Sequence, residues 1–290
     1  MKTFSVLGGD SRSIVIANEL CHRGYAVNVL ANNANDYHKN INICDSVALT
    51  VLGADYILLP MPCSLNTIDL HAPLLNKIIS LADIVDELKP GQLVFGGKID
   101  DALKNALKNK EITFYDYAKR EELVVLNAVA TAEGAILIAL NELPCTINGL
   151  PVLVTGFGRI AKALANILKG MGADVTVAAR KESDLAWMKA YGYKALHINE
   201  LKNHLASFKL IYNTVPFMLF ERDLLQQLHR DCLLIDLASK PGGVDFESAE
   251  HMQKKVIHAL SLPGKTAPQT AGLIVCDTVL NMIYESEVKE

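Results

Sequence analysis

The stretch that most constrains this chain is PVLVTGFGRIA, at residues 151–161. Its apolar start predicts a buried strand, and the apolar residues at helical spacing beyond it predict a helix. Gly156 and Gly158 stand between the two, and Ala161 fills the third position of a G-x-G-x-x-G/A fingerprint. The glycines permit a tight turn and a close approach of the backbone to a pyrophosphate at the helix N-terminus. The alternative is a structural glycine turn that binds no nucleotide.

The end of the next predicted strand distinguishes between nicotinamide cofactors. This strand, residues 174–179 (DVTVAA), is followed directly by Arg180 and Lys181. NAD-binding domains place an Asp or Glu here to bind the ribose 2′-hydroxyl, whereas a guanidinium binds a 2′-phosphate through two hydrogen bonds. We therefore predict NADP rather than NAD as the cofactor, with Lys181 and Ser183 as additional contacts.

The composition narrows the class of protein. The net charge of −4 and the absence of a basic arm argue against a nucleic-acid-binding protein. The N-terminal residues lack a signal-peptide pattern, and we find no apolar run near the roughly 18 residues that a membrane span needs. The six cysteines are scattered without a C-x-x-C pair, so we expect no disulfide and no metal site. These features predict a cytoplasmic protein.

Predicted strands and helices alternate along the chain, which predicts an α/β protein with two Rossmann-like parallel-sheet domains and a cleft between them. Residues 1–125 form a Rossmann-like or flavodoxin-like substrate-side domain, whose GGDSRS turn lacks the spaced glycines of the fingerprint. A connecting helix is predicted at 126–148 and the NADP-binding domain at 149–266. The C-terminal helix, at 267–290, is expected to cross back to the first domain.

Several polar residues occupy predicted helix starts and hinge positions. Arg12 lies at the start of the first helix, a ready anion site; equally, Asp10 and Ser11 serve only as helix caps. Thr131 is predicted as the N-cap of a helix over 132–140. We expect Asn127, Thr131 and Glu133 to face the cleft at a hinge, the alternative being a connecting helix with solvated charges.

Two further groups of polar residues follow buried strands near the C-terminal half. Asn213, Thr214 and Val215 end one predicted strand, at the edge that faces the nicotinamide of a bound dinucleotide. The next strand ends in DLASKPGG, at residues 236–243, a long polar turn that indicates a ligand. A second glycine- and proline-rich segment, LPGKTAPQTAG at 262–272, is predicted as a loop.

Residue blocks spread over nearly the whole chain point to one family. They are GGD with Arg12, REE at 120–122 with Asn127, TAEGA at 131–135, GFGR at 156–159, ARK at 179–181, NT at 213–214, DLASKPGGVD at 236–245, PG at 263–264, AP at 267–268 and TAG at 270–272. Together they resemble the A subunit of dipicolinate synthase from spore-forming bacteria. The DLASKPGGVD and TAEGA blocks are far more specific than the glycine fingerprint.

The resemblance implies an NADP-dependent oxidoreductase that converts dihydrodipicolinate, or its hydrated tetrahydro form, to pyridine-2,6-dicarboxylate in a branch of the lysine pathway. It implies that the partner is a flavoprotein-like B subunit and that the location is the mother cell of a sporulating bacterium; we also expect a homo-oligomer. The expected cofactor contacts are Gly156, Gly158, Arg159, Ile160, Arg180, Lys181, Asn213, Thr214, Val215 and Ala238.

A substrate with two carboxylates needs cationic or N–H partners. Arg12 suits one carboxylate, and Ser239 with Lys240 suits the other, with Lys98 in reserve; Asn127 and Thr131 complete the expected substrate contacts. Lys240 or Glu133 accepts the ring proton, or a water does so, and the alternative for Lys240 is a solvated loop lysine.

Two other functions stay open. One is a D-2-hydroxyacid-dehydrogenase-like enzyme, which shares the layout but needs an Arg, Glu and His set that this chain lacks at the equivalent loop. The other is a non-catalytic NADP-binding subunit for a flavoprotein partner.

Overall fold

The structure is a computed structural model that describes residues 1–239 and 241–288. Its contacts divide the chain into two compact units. The N-terminal unit comprises Met1–Asn127 together with the chain from Ala267 onward, and the central unit comprises Ala128–Thr266.

The N-terminal unit is built on a six-stranded parallel sheet in the order β3-β2-β1-β4-β5-β6. Its strands are rich in Val, Ile, Leu and Phe, as expected where helices cover both faces of a sheet. The elements are β1 Thr3–Leu7, α1 Ser11–His22, β2 Ala26–Leu30, β3 Asn42–Cys44, α2 Val47–Val51, β4 Tyr56–Leu58, α3 Leu81–Glu87, β5 Leu93–Gly96, α4 Asp101–Asn109 and β6 Thr113–Asp116.

The helix α5, Glu121–Glu142, runs on from the last strand of this sheet. By length and apolar composition it is the one described helix that is long enough to cross a membrane, and half of its most apolar window is buried inside the protein. The prediction that no apolar run approaches that length is therefore wrong for α5. Core helices of soluble proteins pass the same test, and burial of half the window is typical of such a helix.

The central unit has a second six-stranded parallel sheet, in the order β12-β11-β10-β7-β8-β9. Its elements are β7 Pro151–Thr155, α6 Arg159–Gly170, β8 Asp174–Ala179, α7 Glu182–Ala190, β9 Lys194–His197, α8 Leu201–His204, β10 Leu210–Asn213, α9 Arg222–Leu225, β11 Leu233–Asp236, α10 Phe246–His251, β12 Lys255–His258 and α11 Leu262–Thr266. Both sheets have the 3-2-1-4-5-6 strand order of the Rossmann fold, so the predicted fold class is confirmed.

The C-terminal helix α12, Pro268–Glu287, belongs to the N-terminal unit and packs against α1. The two helices touch at Gly272, where an added Cβ atom would lie 2.8 Å from the Cβ of Val15 and 2.9 Å from the carbonyl oxygen of Arg12. Farther along α12, Glu285 accepts two hydrogen bonds from the Arg120 guanidinium, at 2.8 and 2.6 Å. The predicted domain bounds stay a prediction beside this division of the chain.

Three local predictions are wrong. Thr131 is not an N-cap, because α5 is already helical ten residues earlier and Thr131 lies within it. The segment 262–272 is not a loop, since α11 and the first turn of α12 occupy it and Pro268 takes a first-turn position where its missing N–H costs nothing. The short edge strand β3 falls partly in a segment predicted as loop, because its residues are polar.

We expect Gly272→Ala to lower the free energy of unfolding by about 1–3 kcal/mol, because the new methyl group would force α1 and α12 apart. Urea denaturation monitored by circular dichroism measures the change. Gly170→Ala is the matched control: it lies in the last turn of α6, an added Cβ meets no atom within 4 Å, and the substitution should be neutral or stabilising by up to about 1 kcal/mol. Equal stability of Gly272→Ala and the wild type would contradict this account of the helix crossing.

Candidate dinucleotide-binding site

The turn between β7 and α6 has the geometry that the fingerprint predicts. Gly156 has a φ of +95°, a conformation that favours glycine, and a Cβ atom there would lie 2.4 Å from the Thr214 hydroxyl. That hydroxyl donates a hydrogen bond to the carbonyl of Thr155 at 2.8 Å. The glycine turn and the turn after β10 therefore lie against each other.

The N-terminus of α6 is open. Gly158 is its N-cap residue, no side chain in the described part of the chain caps it, and an added Cβ would meet no atom within 4 Å. Gly158 and Arg159 are exposed, and Ile160 is half-buried. Backbone N–H groups of a first helical turn that lack a side-chain acceptor, with open space before them, fit the pyrophosphate of a dinucleotide.

Arg180 and Lys181 are exposed at the end of β8. The Arg180 carbonyl accepts a hydrogen bond from Nε2 of His197 at 3.2 Å; Nδ1 of that ring accepts from the Asn199 N–H, so Nε2 carries the proton. Among the described residues, none forms a hydrogen bond or salt bridge with the Arg180 guanidinium or the Lys181 ammonium. The backbone is therefore held in place while both cationic groups remain available to an anion.

A buried row of polar side chains lies at the carboxyl ends of three adjacent strands. Thr155, Asn213 and Asp236 end β7, β10 and β11 in register, and all three are 0% exposed. The Thr155 hydroxyl donates to Oδ1 of Asn213 at 2.6 Å, and Nδ2 of Asn213 donates to Oδ1 of Asp236 at 2.8 Å. We call these three residues the strand-end row.

Only Asn213 among the three was predicted as a site residue. A signal for the others was present, because VLVT, LIYN and LLID each place one polar residue at the end of an apolar strand. Buried polar groups must be hydrogen-bonded, and three such ends on neighbouring strands supply one another's partners.

Asp236 also holds the turn that follows it. Its Oδ1 accepts the Ala238 N–H at 3.1 Å and its Oδ2 accepts the Gly243 N–H at 2.9 Å. Ser239 is exposed on this turn, and Ala238 is buried. Lys240 lies outside the described residues, so its predicted substrate and proton-transfer roles stay predictions.

The predicted hinge residues all lie within α5 but do not share one face. Asn127 and Thr131 are one helical turn apart and half-buried, whereas Glu133 is exposed and lies about 200° around the helix from Thr131. The adjoining Gly134 packs against Thr266, whose hydroxyl would lie 2.8 Å from an added Cβ. The expected substrate roles of Asn127 and Thr131, and the catalytic role of Glu133, stay predictions.

Arg12 in the N-terminal unit is engaged by its own helix cap. Its Nε and Nη2 donate to the two oxygens of Asp10, both at 2.8 Å, and Nη2 also donates to the Met61 carbonyl at 2.6 Å. Asp10 additionally caps α1 by accepting the Arg12 N–H at 3.1 Å. Burial, the largest influence, raises the pKa of Asp10, but Arg12's hydrogen bonds and charge outweigh it, and the pKa lies below 3.8.

Two family models match the chain, one for each unit. The model for the N-terminal domain of the dipicolinate synthase A subunit matches residues 3–118. The model described as "D-isomer specific 2-hydroxyacid dehydrogenase, NAD binding domain" matches residues 130–240. The second match falls within the central unit and shows that this unit is a nicotinamide-dinucleotide-binding domain.

Relatives of known name match over nearly the full length. The dipicolinate synthase A subunit of Bacillus subtilis (strain 168) is 28% identical over 288 residues, which are 99% of this chain and 97% of that protein. The crystal structure of the A subunit from Bacillus halodurans superposes with a TM-score of 0.89 at 28% identity, covering 97% of each chain. That from Bacillus subtilis superposes with a TM-score of 0.88 at 28% identity, covering 100% of this chain and 98% of that one.

A transhydrogenase from Sinorhizobium meliloti shares the fold alone. Its TM-score is 0.73 at 15% identity, with 98% of this chain and 93% of that chain covered.

We expect the ion pair of Asp10 with Arg12 to make stability depend on pH in the acid range. Because folding lowers the pKa of Asp10, its contribution is complete above the unfolded pKa near 3.8 and is lost as the pH falls through the folded pKa. Asp10→Asn should therefore cost about 1–3 kcal/mol at pH 7, and this difference from the wild type should shrink below pH 4.

Urea denaturation at pH 7, 5 and 3 measures this difference. Asp231→Asn is the control, because the Asp231 side chain is 67% exposed. A difference for Asp10→Asn that grows on acidification would contradict the assignment.

Proposed function

The chain belongs to the family of dipicolinate synthase A subunits, and from that membership we propose that it is the oxidoreductase subunit that forms dipicolinate with NADP. The family match and the dehydrogenase-type cofactor domain by themselves establish an oxidoreductase-like subunit that takes a nicotinamide dinucleotide. The choice of NADP and of the substrate is our proposal.

The observation that carries the choice of NADP is the pair of exposed cations beside the open end of α6. Arg180 and Lys181 follow β8, the strand next to the glycine turn, and Gly156 N–H donates to the Ala178 carbonyl at 2.8 Å. In this arrangement a 2′-phosphate meets a guanidinium that can bind two of its oxygens. An NAD-binding site would instead present a carboxylate to the ribose hydroxyl.

The proposed reaction removes a hydride and a proton from dihydrodipicolinate and leaves the aromatic pyridine ring. The bound nicotinamide supplies the hydride acceptor. The hydrated tetrahydro form loses one water in addition. Since aromatisation favours the product, the chain's own task is to bind two carboxylates and to accept one proton.

Arg12 and the turn after β11 are the proposed carboxylate contacts. Although Asp10 and Met61 occupy Nε and Nη2 of Arg12, no described residue accepts from Nη1, whose two N–H groups suit a carboxylate oxygen. Ser239 is the described contact on the turn after β11, with Lys240 beside it in sequence. Lys240, Glu133 or a water takes the ring proton.

The relatives are named for one lettered component of a synthase, which implies an assembly with more than one kind of chain. We propose that the partner is a flavoprotein-like B subunit, with self-association of this chain as well. The proposed place of action is the cytoplasm of the mother cell in a sporulating bacterium.

If Arg180 binds the 2′-phosphate, Arg180→Gln should weaken NADPH binding about 10- to 100-fold, since a charge-assisted hydrogen-bond pair is lost. Affinity for NADH should change less than about threefold, because NADH carries no phosphate there. Fluorescence titration with both cofactors measures this. Arg230→Gln is the matched control, because the Arg230 side chain is 90% exposed in the same unit. Equal losses for NADPH and NADH would refute the assignment.

The proposed activity is tested by supplying dihydrodipicolinate and NADP⁺ with and without the B subunit. We expect the absorbance of the pyridine product and of NADPH to rise together, in equal amounts. Lys240→Ala should raise the KM for dihydrodipicolinate while the Kd for NADPH stays unchanged.

Other outcomes identify the remaining alternatives. Oxidation of a D-2-hydroxy acid in place of dihydrodipicolinate would indicate the dehydrogenase-like function. Cofactor binding without turnover in any combination would indicate a non-catalytic subunit.

A further inference from the structure

We infer that Asp236 is a positioning residue for the substrate side of the proposed reaction, coupled through Asn213 and Thr155 to the glycine turn. The inference rests on the proposed function, because the turn that Asp236 holds carries Ser239 and Lys240. All three members of the strand-end row are 0% exposed, so they act through the backbone they hold.

One carboxylate spans both ends of the turn after β11. Oδ1 of Asp236 accepts the Ala238 N–H at 3.1 Å, and Oδ2 accepts the Gly243 N–H at 2.9 Å. Between these points, the Gly242 N–H donates to the Ser239 carbonyl at 3.0 Å and closes a four-residue turn. The position of Ser239 is therefore set by a side chain three residues before it.

The same turn is held from its other side and fits without spare room. His258 donates from Nε2 to the Ala238 carbonyl at 3.2 Å, so both polar groups of Ala238 are engaged. A Cβ at Gly243 would lie 2.2 Å from Nδ2 of Asn213, and one at Gly242 would lie 3.0 Å from Oδ2 of Asp236. The two glycines are needed because the backbone runs directly over the buried side chains.

Asn213 connects this turn to two others. Its Oδ1 accepts from the Thr155 hydroxyl at 2.6 Å and from the Val215 N–H at 3.2 Å. Its Nδ2 donates to Asp236 at 2.8 Å and to the Val215 carbonyl at 3.2 Å. Since a carboxylate only accepts, Asp236 also decides which way the amide faces. With both amide atoms engaged and buried, Asn213 aligns the turns that follow β7, β10 and β11.

The test uses Asp236→Asn in the full chain, with Asp231→Asn as the exposed control. The new NH₂ group would face one of the N–H donors that the carboxylate now accepts, so the turn should loosen. We expect kcat/KM for dihydrodipicolinate to fall about 10- to 100-fold, as for a contact misplaced by about 1 Å. The Kd for NADPH should change less than about threefold, because α6 and Arg180 are untouched.

Hydrogen exchange of the Ala238 and Gly243 amides gives a second readout that does not depend on activity. Faster exchange at these two amides in Asp236→Asn, with wild-type exchange in β7, supports the inference. Wild-type exchange at both amides together with wild-type kcat/KM would overturn it. If the wild-type protein makes no pyridine product, the proposed function fails, and the exchange rates alone then decide the positioning role.

Thr155→Val covers the case in which Asp236→Asn does not fold. Valine keeps the shape of threonine but removes the hydroxyl that donates to Asn213, and Thr155→Ser restores it. We expect lower kcat/KM and faster exchange at the Val215 amide in the valine variant, with recovery in the serine variant. Failure of serine to restore either quantity, or no change in the valine variant, would count against the coupling.

Discussion

The central unit depends on the hydrogen bonds of one buried amide, that of Asn213. An unsatisfied amide or carboxylate costs several kilocalories per mole in an apolar interior, so the strand ends can be polar only if they satisfy one another. Thr155 and Asp236 do so on either side of Asn213, at 2.6 and 2.8 Å. Parallel strands bring their carboxyl ends to one edge, and this edge is where open α/β sheets bind ligands. The row therefore stabilises the sheet and defines the loops of the candidate site together.

Two sheets with the same strand order use the first strand–helix turn differently. In the N-terminal unit, the Asp10 carboxylate caps α1 and pairs with Arg12, so the helix start is already occupied by an anion of the chain itself. In the central unit, Gly158 stands in the equivalent place and leaves the start of α6 open to an external anion. One side chain thus distinguishes a structural turn from a cofactor turn, since both turns share the helix dipole and N–H groups.

Much of the fold could be predicted from apolar runs and turn residues. The strands β8, β9 and β10 lie where the sequence pattern places them, because each is a short apolar run between clear breakers. Errors arose where local signals mislead: Pro268 begins a helix instead of ending one, and Thr131 lies inside a helix despite its capping chemistry. The strand β3 was missed, since an edge strand with polar residues carries little periodic signal.

By itself, the sequence determined the glycine turn before α6 and the cations after β8, because both depend on residue type and spacing within a few positions of a strand end. Only the tertiary structure decided what joins the candidate site together. Thr155 and Asn213 are 58 residues apart, and Asn213 and Asp236 are 23 apart, so no local pattern relates them. Their hydrogen bonds exist because strand order and register align the last residues of β7, β10 and β11, and that alignment is a property of the whole sheet.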